Sequence, residues 1–121
     1  MPVTGIGGFF FRAQDPQALS AWDLKHQGVG APEGQFLWDQ QAGPTVFSPF
    51  KETTDYFAQD KRWMLNLRVE GLDALLASLK AAGVEVVTKE DWDASPEVGR
   101  FARIHDPEGN PIELWEPPAG A

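Results

Sequence analysis

Glu113 is the side chain whose neighbours best equip it for chemistry. It lies in Ile112-Glu113-Leu114-Trp115, where a strand would bury Ile112 and Leu114 on one face and project Glu113 from the other. A carboxylate displayed on a sheet can ligate a divalent ion, hold an arginine or a ligand donor, or act as a general base on a carbon acid if desolvation raises its pKa. The last role needs a group that stabilises the resulting oxyanion, and Asn66 or an arginine is the candidate.

The same parity argument assembles a cleft around Glu113. Leu65, Leu67 and Val69 form one side of a strand, so Met64, Asn66 and Arg68 point the opposite way, and Phe10 and Arg12 do so in an earlier strand. Ala102, Ile104, Ile112 and Leu114 are predicted to lie under helices, which leaves Phe101, Arg103, His105, Glu113 and Trp115 on the concave face; Trp38 and Phe36 extend it. Two readings of the arginines stand. They pair with Glu113 through bidentate hydrogen bonds, or Arg12, Arg68 or Arg103 binds an anionic group while Phe10, Phe101, Trp38 and Trp115 cover the apolar part of a ligand. His105 faces either the pocket or the turn, and His26 reads as a solvated helix-end residue.

Other constellations are missing. No serine has a Gly-x-Ser-x-Gly context, and there is neither a Gly-x-Gly-x-x-Gly fingerprint nor a phosphate-binding lysine loop. With no cysteine, thiol chemistry and thiolate metal sites are excluded.

The elements that must position these residues follow from turn and cap signals. Asp106-Pro107-Glu108-Gly109-Asn110 reads as a hairpin turn between strands at Arg100 to His105 and Pro111 to Glu116. A helix is predicted from Asp15-Pro16 to just before Gly28, and another from about Leu72 to Ala82, with Leu72, Leu75, Leu76 and Leu79 at helical spacing and Gly83 as the stop. Gly8-Phe9-Phe10-Phe11-Arg12 aligns with Met64-Leu65-Asn66-Leu67-Arg68, and the register continues through the helices, so the chain reads as a duplication. Further strands are expected at Gly28 to Ala31, Gln35 to Gln40, Thr45 to Phe47 and Glu85 to Thr88. Ser48 to Lys61 is expected to connect the halves with one helical turn near Tyr56, and Glu90 to Val98 is a polar loop, either a lid or plain surface.

With this order and the Asp106-Pro107-Glu108-Gly109-Asn110 to Ile112-Glu113-Leu114 signature, the chain resembles the vicinal oxygen chelate superfamily of glyoxalases, bleomycin-resistance proteins and extradiol dioxygenases over nearly its whole length. The resemblance implies an α+β fold in which two βαβββ modules form a curved mixed sheet around a cleft, with helices on the outer face. It implies one domain over 1–121, with module one at about 3–48, the connector at 49–61 and module two at 62–117. It also implies a homodimer. Metal-dependent members draw ligands from the first and last strand of each module. The matching positions here are Gly8, Met64, Val46 or Phe47, and Glu113, so no metal or other cofactor is expected.

A net charge of −8 argues against nucleic acid and anionic membranes as partners. No segment approaches the roughly 18 apolar residues of a membrane span, and a cytoplasmic location is expected. The expectation is a metal-independent protein that binds a small organic ligand in an aromatic cleft. The alternatives are a glyoxalase-type lyase or isomerase using Glu113 as general base or lone metal carboxylate, and an interaction module whose cleft is filled by its own side chains.

Overall fold

The computed structural model describes residues 2–119, so the outermost positions of the expected 1–121 span lie outside the described residues. The element order is α1 (Pro16–Gln27), β1 (Leu65–Arg68), α2 (Leu72–Ala81), a 3-10 helix (Glu90–Asp93), β2 (Arg100–His105) and β3 (Pro111–Glu116). This is an α+β arrangement of two helices and a three-stranded mixed open sheet in the order β1-β3-β2, with β1 parallel and β2 antiparallel to β3.

Local chemistry accounts for each element. The Asp15 carboxylate accepts the Ala18 N–H at 3.1 Å and Pro16 occupies the first helical position, while Gly28, at φ 69°, ends α1 by donating to Leu24 O at 3.0 Å. Helix α2 buries Leu72, Leu76 and Leu79 along one stripe. Its N-terminus has no side-chain cap of its own. The Glu116 carboxylate at the end of β3 accepts the Gly71 and Leu72 amides at 2.8 and 3.0 Å instead. Between β2 and β3 the Asp106 carboxylate gathers the Glu108 and Asn110 amides, each at 2.9 Å, and the Asn110 side chain at 2.7 Å, which makes a self-tied turn.

One face of the sheet carries the core. Ala102, Ile104, Ile112 and Leu114 pack with Leu72, Leu76 and Leu79, and Trp22 of α1 closes over the cluster with Val84 and Val86. The side chains alternate across the sheet as the strand parity requires.

The first half departs from the expectation. Residues 8–12, 28–31, 35–40 and 45–47 form no strand, so the sheet is built from the second half alone among the described residues. A strand is stabilised by ladder partners, and Gly28, Gly30, Pro32, Gly34, Gly43, Pro44 and Pro49 punctuate this stretch; Gly30 and Gly34 take φ of 97° and 84°, outside any extended run. No amide between residues 36 and 50 donates to a backbone carbonyl of the described residues. The expected strand at Glu85 to Thr88 shrinks to one bridge, Val87 with Arg103. Ala82 caps α2 rather than ending it. The helical turn near Tyr56 is replaced by turns on either side, closed by Thr54 N–H to Lys51 O and Lys61 N–H to Ala58 O. The loop after Lys89 opens as a 3-10 helix carrying Trp92.

Candidate functional site

Register places the functional side chains. Asn66 and Arg103 both pair with Glu113 across the ladders, so the three lie in one row on the face away from the helices. The next row is Arg68, Trp115 and Phe101. Alternation along three hydrogen-bonded strands fixes this face, which needs no tertiary information beyond which side the helices cover.

Glu113 is only 6% exposed. Its carboxylate accepts from the Asn66 side-chain amide at 2.8 Å and from the Tyr56 hydroxyl, which the connector lowers onto the sheet. Burial, and then the hydrogen bond to Glu113, push the Tyr56 phenol above its ordinary value. The hydroxyl is therefore a fixed donor at neutral pH, and Glu113 has a permanent partner on each oxygen.

Arg103, 7% exposed, lies beside this pair without joining it. Its guanidinium sits 5.0 Å from the Tyr56 ring centroid and 5.4 Å from that of Trp92. Nη2 donates to the Tyr56 carbonyl at 3.1 Å, whereas Nε is buried and has no acceptor among the described residues. The ion pairs of the described residues all belong to Arg100, which meets Asp73 at 2.9 Å, Asp93 at 3.6 Å and Glu116 at 3.9 Å. An arginine clamp on Glu113 is thus not formed.

Trp115 stacks on Phe101 with centroids 6.5 Å apart and donates its indole N–H to Val98 O at 2.9 Å. The loop before β2 passes so close to β3 that a Cβ on Gly99, at φ 120°, would lie 2.3 Å from the Glu116 carbonyl oxygen. The Asp93 carboxylate accepts the Phe101 amide at 3.0 Å, which ties the Trp92 turn to β2.

The remaining expected residues lie elsewhere. Arg68 spends its guanidinium on the Gln41 and Pro44 carbonyls at 2.7 and 2.6 Å. Phe10 is 94% exposed while its neighbours Phe9 and Phe11 pack on Trp63, so parity holds there but faces Phe10 to solvent. Arg12 and His105 are exposed, and Met64 is half-buried just before β1. Phe10, Trp38, Met64 and Arg68 border an open concavity of about 3820 Å³ between the first half and β1, which Arg103 and Glu113 do not line. That volume is several times the roughly 300–1,000 Å³ of a ligand pocket, so it is not a formed site. Tyr56 and Trp92 escaped sequence reasoning because neither lies in a periodic segment; the single available signal was an aromatic residue in each polar connection.

The donor set does not fit a divalent ion. Among the described residues no three of His, Cys, Asp and Glu converge, and the Glu113 oxygens already accept from Tyr56 and Asn66.

Comparison with known proteins adds the family context. The profile described as "Glyoxalase-like domain" matches residues 10–115. The crystal structure of TnmS3, an antibiotic binding protein from Streptomyces sp. CB03234, shares the fold with a TM-score of 0.59, at 24% identity over 97% of this chain and 98% of that one. A glyoxalase/bleomycin resistance protein from the same organism is 40% identical over 43% of this chain and 42% of its own, with a TM-score of 0.36. No curated protein matches the sequence.

Proposed function

The chain belongs to the glyoxalase-like domain family of the vicinal oxygen chelate superfamily, and from that premise we propose that it is a small-molecule binding protein that needs no metal. The observation that carries this reading is the row Asn66–Glu113–Arg103, in which Glu113 and Arg103 are buried and the rings of Tyr56 and Trp92 lie against the Arg103 guanidinium. Such a surface offers flat apolar contact together with a few fixed polar groups, the composition of a site that orients an organic ligand. Glu113 serves as an anchor in this reading. The Tyr56 hydroxyl and the Asn66 side-chain amide hold one oxygen each, which fixes the orientation of the carboxylate. That TnmS3 is described as an antibiotic binding protein makes antibiotics the first ligands to try.

The test is titration with bleomycin and with a planar polycyclic antibiotic, daunorubicin, followed by calorimetry. Saturable binding of either, weakened by Trp92→Ala, is the expected result. Absence of binding at about 1 mM, the level of roughly −4 kcal/mol, would sink the reading for these ligands. The homodimer belongs to the same proposal. Phe10, Phe36 and Phe47 are 94%, 90% and 88% exposed, apolar area that a second copy of the chain would cover while supplying the strands that complete a two-module sheet.

A further inference from the structure

We propose that the ligand is an organic anion, an aromatic body carrying an ionised oxygen acid such as a carboxylate, and that Arg103 holds that oxygen. The inference rests on the binding reading above and sharpens it to a chemical class. Withdrawing a guanidinium to 7% exposure is unfavourable unless something neutralises the charge and accepts its hydrogens. Glu113 is the cross-strand neighbour of Arg103, yet the two make no ion pair, and the Glu113 oxygens are committed to Tyr56 and Asn66. The Tyr56 and Trp92 rings offset part of the cost through their faces. They leave an in-plane donor unanswered: Nη2 reaches the Tyr56 carbonyl, but Nε reaches no acceptor among the described residues.

The missing piece is therefore an oxygen in the guanidinium plane, and a negative one satisfies charge and hydrogen bond together. A second cation points the same way, since the Lys89 ammonium lies 5.5 Å from the Trp92 ring centroid. The aromatic body follows from the rings already gathered there, with Phe50 5.7 Å and Trp92 6.0 Å from Tyr56, which offer flat surfaces for another ring.

Matched probes test the assignment. 2-Naphthoate and 2-naphthamide share shape and differ in charge, and their affinities for wild type, Arg103→Gln and Arg103→Lys are measured by calorimetry. Wild type should prefer naphthoate by roughly tenfold or more, the range of a charge-assisted hydrogen bond. Arg103→Gln should abolish the preference; Arg103→Lys, which keeps the charge without the planar fork, should retain part of it. Equal wild-type affinities, or a preference that survives in Arg103→Gln, would overturn the anion assignment while the binding reading stands. Binding of neither compound overturns both. Should Arg103→Gln fail to fold, Arg103→Lys decides: a reduced preference supports the assignment and an unchanged one overturns it.

Discussion

Tyr56 is the single tyrosine of the chain, so its ionisation can be followed directly by ultraviolet absorbance. Burial and the Glu113 carboxylate raise its pKa above the ordinary 10.0. A group raised on folding contributes stability that is fully present below its unfolded pKa and is lost as pH rises through the folded value. Tyrosinate should therefore appear well above pH 10.0 in the native protein and coincide with alkaline unfolding; titration at the unperturbed position would contradict the geometry. Tyr56→Phe removes a donor from a buried carboxylate, and urea denaturation at neutral pH should report a loss of about 1–3 kcal/mol. Glu113 itself was legible from the alternation around it, because one strand with one buried face leaves the opposite side chains no other place to go. Its partner was not. Tyr56 approaches from a connector with no period, and only the path of the chain brings it down.

Helix ends and the turn that ties them behave as one unit. Glu116 supplies the cap that Gly71 cannot, so Glu116→Ala should cost about 0.5–2 kcal/mol of stability, measured by chemical denaturation, and fray α2 first in amide exchange. On α1, burial and the Asp106 carboxylate of the hairpin push Asp23 up to about 6 from 3.8. The stability Asp23 contributes is complete below pH 3.8 and disappears as pH rises toward about 6. Asp23→Asn should consequently gain stability relative to wild type across that window and hold the gain at neutral pH, on the order of 1–2 kcal/mol once solvent screening of this half-buried group is allowed for. A constant difference between pH 4 and 7 would show that Asp23 does not titrate there. Helix α1 could be bounded from Asp15, Pro16 and Gly28, and α2 from its leucine spacing and Gly83, since these signals act within their own turns. The Glu116 cap could not, because its partners are 44 and 45 residues away.

At the scale of the molecule the two halves differ in kind. The second half has an alternating pattern, a core and three paired strands; the first has a capped helix and a long stretch rich in turn formers, with Phe36, Leu37 and Phe47 exposed. The duplication implies strands in the first half that would need edges to pair with, and among the described residues none of these strands pairs with one, the outer edge of β1 included. If a second copy provides those edges, light scattering should give twice 13.3 kDa, and dilution should sensitise Phe36 to Phe47 to chymotrypsin. A single-chain mass at all concentrations would refute the dimer.

The hairpin also reaches back across the chain. The Glu108 carboxylate accepts the Gln14 amide at 2.6 Å and the Asp15 amide at 3.0 Å, 94 and 93 residues earlier. During synthesis α1 emerges long before the residue that fastens its first turn. The helix can coil early, but its docking must wait until the hairpin has left the ribosome, and such late, distant closure is the kind of contact that slows folding. Glu108→Ala should then leave the helix intact and loosen the start of it, and a nascent chain halted before Glu108 should hold α1 unfastened.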